Sequence, residues 1–158
     1  MPSRTRRKRA ATPSPVAYRA LAEFRYQIRR FLAFSERAAR RAGLEPRQHQ
    51  LLLAVKGLPA GRLATIGEIA ERLQVRHHSA VELVGRLAAA GLVRRRRHPA
   101  DRRQVVVRLT ARGEAVLADL SRHHAAELRV LLETLGRAPG LAFARMVRAF
   151  DRPGRRRG

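Results

Sequence analysis

Seven arginines stand in the stretch from Leu92 to Leu109, with Asp101 the one acid among them. A cationic run of this density suits neutralising phosphates and reaching a minor groove, where the potential of a duplex is most negative. It does not suit bond-making chemistry. The other chemically able groups are sparse. His77-His78 and His123-His124 are adjacent pairs. Neighbours on a helix point about 100° apart, so neither pair easily shares one ion. With no cysteine and no His-x-x-x-His spacing, no metal site is expected. The sequence has no Gly-rich phosphate loop, no Gly-x-Ser-x-Gly and no His-Glu-x-x-His, and its acids do not gather. Neither an enzyme nor a cofactor is expected.

The whole composition agrees. The 158 residues carry 35 Lys+Arg against 12 Asp+Glu, a net charge of +23. Such a field draws polyanions, chiefly nucleic acid or acidic lipid. A hydrophobic fraction of 45% is enough for a core. The lack of cysteine excludes disulfides and thiol redox switching. No run is apolar enough to span a membrane and none reads as a signal peptide, so a soluble, intracellular protein is expected. Residues 1–15 hold five cations and no acid, and residues 152–158 four arginines and no acid. Both ends read as mobile basic arms with almost nothing to bury. The start also suits an organelle transit peptide, which Pro13, Pro15 and its weak amphipathic pattern disfavour.

Elements that could position the arginines are legible between these arms. From Ala17 to Arg41, Leu21, Phe24, Ile28, Phe31 and Leu32 recur at helical spacing. Gly43 is a stop, and Pro46 opens a helix through Val55 carrying Leu51 and Leu52. Thr65 and Glu68 read as a capping box for a short helix to Leu73. The turn Gln74-Val75-Arg76 leads to a helix from His77 to Ala90, ended by Gly91. The period then becomes two. Leu92–Arg97 and Gln104–Leu109 read as strands, with Val105, Val107 and Leu109 on one face. Thr110 caps a long helix bearing Val116, Leu117, Leu120, Leu128, Leu131, Leu132 and Leu135. A last helix follows Pro139 with Phe143, Met146, Val147 and Phe150. Short capped helix, tight turn, second helix and basic hairpin make a winged helix-turn-helix. The fold class is mainly α with a small β-hairpin wing.

At Ala64 to Gly113 the chain resembles the multiple-antibiotic-resistance regulator (MarR) family of bacterial transcription factors. The resemblance rests on IGEIAERL (66–73), HHSAVELVGRLAAAGLVRR (77–95) and DRRQVVVRLTARG (101–113). With its flanking helices the likeness covers about residues 16–150. It implies a homodimer held by the N- and C-terminal helices (16–44 and 111–151) around a DNA-binding module at 45–110. It implies a recognition helix at His77–Ala90. There, spacing turns Ala80, Leu83, Val84 and Leu87 inward and leaves His77, His78, Ser79, Val81, Glu82 and Arg86 for DNA. Ser79 with its neighbouring histidines could mimic a nucleophile and base, an improbable role on a groove-facing helix. In the wing, Asp101 would hold Arg103 for the minor groove, with Arg102 its close competitor, while Arg94, Arg95, Arg96 and Arg97 neutralise backbone. With Glu82 and Gly85 on the recognition face, affinity is expected mainly from wing and arms.

The family's habit of binding small aromatic or lipophilic effectors makes Tyr18, Tyr26, His123 and His124 candidate cleft residues, with Phe24 and Phe31 nearby. Ordinary dimer packing is the plainer account of any one of them. The expectation is therefore a dimeric regulator, in the repressing mode, of an inverted-repeat duplex operator. Its rivals are a non-specific nucleic-acid or nucleoid-associated protein, for which charge alone suffices, and a winged scaffold that docks protein.

Overall fold

The computed structural model describes residues 14–137 other than Arg102. The order is α1 (Pro15–Arg41), α2 (Pro46–Lys56), α3 (Ile66–Leu73), α4 (His77–Ala89), β1 (Val93–Arg97), β2 (Val105–Leu109) and α5 (Ala111–Arg137). The boundaries read from sequence hold to within two residues. Residues 1–13 of the first basic arm, the tail at 152–158 and the expected helix after Pro139 lie outside the described residues, while Pro15, expected in the arm, opens α1.

The chain divides into two units. The unit from Leu32 to Glu127 contains the end of α1, all of α2 to β2 and the start of α5. Its core joins Leu51 and Leu52 of α2, Ile69 of α3, Val84 and Leu87 of α4 and Val107 of β2, each at most 1% exposed. Fully burying such a side chain contributes about 1.5–3 kcal/mol, so these six dominate the packing. Local chemistry sets the helix ends. Gly43 and Gly91 take the left-handed conformation, φ 75° and 70°. The chain can then reverse, and Leu44 and Leu92 donate to the Ala39 and Leu87 carbonyls at 3.0 Å. Gln48 accepts from the Glu45 amide ahead of α2, a cap not anticipated from sequence.

Thr65 caps α3 by accepting from the Glu68 amide at 3.2 Å. The expected reciprocal half of that box is absent. The Glu68 carboxylate binds Arg62 and Arg72 instead, because two cations are stronger partners for it than one amide. Thr65→Ala should cost about 1 kcal/mol of unfolding free energy, measurable as a lower urea midpoint at unchanged slope.

β1 and β2 form an antiparallel pair in the register Val93↔Leu109 to Arg97↔Val105. Leu109 and Val107 are buried and Val105 half-buried, as alternation predicts. Val106, on the opposite face, is buried too. The segment before α3 runs along β2, with a bridge from Thr65 to Val106 and the Val107 amide donating to Ala64. A single-residue bridge leaves no periodicity to read.

The other unit contributes, among the described residues, 14–31 and 128–137. On α1 its buried side chains are Ala17, Ala20 and Gln27, with Phe24, Ile28 and Phe31 half-buried. Leu21, expected in that stripe, is exposed, as is Leu32 beyond it. Small residues at 17 and 20 shift the buried stripe around the helix. Val16, Tyr18, Tyr26, Leu128, Val130 and Leu132 are also exposed. No helix is long and apolar enough to cross a membrane among the described residues.

Candidate nucleic-acid interface

Hydrogen bonds hold the tip of the wing together, while the arginines of β1 reach solvent. Arg94, Arg95, Arg96 and Arg97 are all exposed along β1. At the tip the His98 amide donates to Gln104 at 3.0 Å and the Gln104 amide to Asp101 at 2.9 Å. The His98 ring turns inward, and its Nδ1 accepts the amides of Ala100 and Asp101, both at 3.1 Å. Nδ1 can accept only when it carries no proton, which fixes the tautomer. Composition marks His98 as one more loop residue; only the folded loop shows it as a brace.

Asp101 organises the C-terminal side of the tip. Its Oδ1 accepts from the Arg103 amide at 3.0 Å and from Arg103 Nε at 3.3 Å, and Oδ2 from Gln104 Nε2 at 3.1 Å. The backbone bond from Arg103, then the Gln104 side chain, hold its carboxyl below the usual carboxylate range. Arg103 is thus fixed at its root, and its side chain remains 93% exposed. This is the Asp-x-Arg arrangement expected from the sequence. Its competitor Arg102 lies outside the described residues.

Helix α4, expected from the sequence to be the recognition helix, follows α3 through a turn in which Gln74 takes the left-handed conformation. Ala80, Leu83, Val84 and Leu87 are buried. His77, His78, Val81, Glu82 and Arg86 are exposed and Ser79 is half-buried. An apolar side anchors the helix and leaves a continuous polar side outward, the form a helix needs to enter a major groove. Arg76, exposed at the N-cap position, adds a cation that sequence reasoning gives only to the turn. Glu68 holds Arg62 and Arg72 close to α3. Those hydrogen bonds keep its carboxyl below its ordinary value.

The hairpin is tied to the next helix at its base. Thr110 donates its hydroxyl to the Gly91 carbonyl at 2.7 Å and accepts the Gly113 amide at 3.1 Å, while its own amide donates to Leu92 at 3.0 Å. Leu-Thr-x-x-Gly is therefore a clasp between the end of α4, β1 and the first turn of α5.

The candidate cleft residues fall in different settings. Tyr18 and Tyr26 are 55% and 50% exposed in one unit. In the other, His123 is exposed, with Nδ1 on the Asp119 carbonyl, whereas His124 is packed among Ser35, Phe34 and His49. No group of three or more His, Asp or Glu suited to a metal occurs among the described residues.

The MarR family profile matches residues 42–104. Among solved structures, the transcriptional repressor CouR, bound to a 23-mer DNA duplex, is 30% identical. That likeness covers 83% of this chain and 90% of CouR at a TM-score of 0.62. The MarR family transcription regulator SP03579 is 25% identical over 85% of this chain and 87% of its own, TM-score 0.67. AbsC of Streptomyces coelicolor, a MarR family regulator, shares the fold at 24% identity over 78% and 80% of the two chains, TM-score 0.62. No curated protein sequence matches significantly. With the winged-helix fold and these likenesses together, the chain belongs to the MarR family of transcriptional regulators, DNA-binding proteins that catalyse no reaction.

Proposed function

We propose that the protein acts as a homodimer on an inverted-repeat duplex operator and represses the genes beside it, working at the bacterial nucleoid. The observation that carries this reading is Arg103, held at its root by Asp101 and 93% exposed at the wing tip. It stands in one module with an α4 whose polar side is outward. In this reading residues 45–110 form the DNA-binding module, and residues 16–44 and 111–151 pair the two copies. The exposed Val16, Tyr18, Tyr26 and Leu132 support pairing, since a concentration of large exposed apolar side chains marks an interaction surface. Two modules about one DNA turn apart imply half-site centres roughly 10 bp apart. His77, His78, Ser79, Val81, Glu82 and Arg86 meet the groove, Arg94 to Arg97 the backbone, and Arg103, with Arg102 beside it, the minor groove. The basic arms at 1–15 and 152–158 add non-specific grip.

Release by a small lipophilic or aromatic effector completes the proposal. The exposed rings of Tyr18 and Tyr26 supply aromatic surface for such a molecule. A ligand would act through its differential affinity for DNA-competent and incompetent dimers.

Selection of bound sequences from a random duplex pool tests the reading. A symmetric site should emerge, held at least ~10³-fold more tightly than random duplex. Equal affinity for both would leave the net charge of +23 as the whole explanation and the protein as a non-specific nucleic-acid binder.

A further inference from the structure

Where α1, α2 and α5 meet inside the unit from Leu32 to Glu127, two imidazoles lie face to face. His49 of α2 is 3% exposed. Its ring stacks on His124 of α5, centroids 4.7 Å apart and planes at 29°. Phe34 of α1 meets the His124 ring edge-on at 5.7 Å. His124 Nδ1 lies 2.6 Å from the Leu120 carbonyl and Nε2 2.7 Å from the Ser35 hydroxyl. A carbonyl only accepts, so Nδ1 donates to Leu120, while the Ser35 hydroxyl occupies Nε2. Both ring nitrogens of His124 therefore have partners, and its ring closes over His49.

The surroundings offer a charged His49 little. From α1 the facing groups are Ser35 and Phe34, neither ionised. α3, α4 and β2, which also pack on α2, turn Ile69, Ala70, Leu83, Val84, Leu87 and Val107 into the core. The charges near the stack on its own elements are Glu36, Arg37 and Arg40 on α1, Glu45 and Arg47 at the start of α2, and Asp119, Arg122, His123 and Glu127 on α5. Glu36 is paired with Arg40, and Asp119 with Arg122. Among the described residues no acid forms an ion pair with His49.

We propose that the His49–His124 stack is a proton-sensitive latch: taking up a proton there loosens the seam of α1, α2 and α5, so that operator affinity falls as the pH drops below neutrality. This rests on the reading of the protein as an operator-binding regulator. Burial, and then the neighbouring His124, hold His49 below the ordinary histidine value of 6.5. The sign comes from linkage. The unfolded chain takes a proton more readily than the fold, so the stabilisation is complete above 6.5 and is lost as pH falls through the lower folded value. Surface histidines act oppositely. A charge gained in acid on a DNA-facing surface strengthens binding to phosphates. The direction of the pH effect therefore separates the latch from the surface.

The test measures affinity for the selected duplex and for a random duplex at about pH 8 and about pH 5.5, in the full chain and in His49→Phe, whose ring stacks but cannot ionise. In the unsubstituted protein the preference for the selected duplex should fall several-fold in acid, towards the limit of about 10-fold that an ordinary value of 6.5 sets one pH unit below it. His49→Phe should keep it within about 2-fold, as expected once the titrating group is gone. A preference that survives acid, or an equal loss in His49→Phe, overturns the latch. Should His49→Phe not fold, imidazole NMR titration of the unsubstituted protein decides: His49 must titrate below the ordinary histidine value of 6.5, and titration at or above that value overturns the latch. No preference for the selected duplex at about pH 8 refutes the operator reading instead, and the NMR titration then still judges the stack.

Discussion

Replacing Arg102 and Arg103 together by alanine should lower affinity for the selected duplex by about 10²-fold or more. Each specific base interaction contributes about 1–3 kcal/mol. The dimer should persist, seen as an unchanged sedimentation coefficient. The structure gives the reason for Arg103. Its side chain touches Asp101 and is otherwise in solvent, so removing it takes away a grip on the duplex and no packing. The Arg103 backbone amide, which also binds Asp101, survives the change. Asp101→Ala should show a smaller effect, about 5- to 10-fold, the scale of a pre-organised side chain that must now be ordered on binding. The salt dependence should separate roles. A phosphate contact adds roughly 0.9 to the slope of log affinity against log salt. Arg95→Ala and Arg96→Ala should therefore shallow the slope while sparing base preference. If duplex binding survives the double change at 102 and 103, the wing does not carry the grip, and α4 with Arg76 must.

How much of this is legible in the sequence depends on what each residue answers to. The helices of the unit from Leu32 to Glu127 are, because their apolar spacing and their Gly43, Pro46, Thr65 and Gly91 punctuation are local. So is the Asp101–Arg103 hold, since two residues of a tight loop cannot avoid each other. The Glu68 carboxylate departs from its expected cap because its partners are chosen by charge: Arg62 lies before the helix, and no pattern within Thr-x-x-Glu reveals it. Val106 departs from the alternation of its strand because alternation knows nothing of a third segment crossing at Thr65. The histidine doublet at 123 and 124 reads as one feature in sequence. The helix turns them about 100° apart, placing one ring in solvent and the other against a histidine seventy-five positions earlier in the chain. Such a pairing is a property of helix packing and has no local trace.

Gly113 offers the sharpest contrast between sequence rule and structure. Glycine inside a helix is a weak choice, and alanine there ordinarily adds about 0.5–1 kcal/mol. At Gly113, in the first turn of α5, a Cβ would stand 2.0 Å from the Leu92 carbonyl oxygen and 3.0 Å from its carbon. Neither is a side chain that can step aside. Leu92 is 4% exposed, and its carbonyl already accepts the Thr110 amide at 3.0 Å. Making room means moving α5 off β1 or breaking the Thr110 clasp. Gly113→Ala should therefore destabilise the fold by about 3 kcal/mol, the upper range for overpacking against fixed neighbours. Gly85, in α4, has nothing within 4 Å of the same added atom. Gly85→Ala should be neutral or should stabilise by the helical amount. Paired urea titrations of the two variants check both signs at once. Equal effects at 85 and 113 would mean that α5 does not dock on Leu92 as closely as the clasp requires, and the wing would then lose the support that fixes its base.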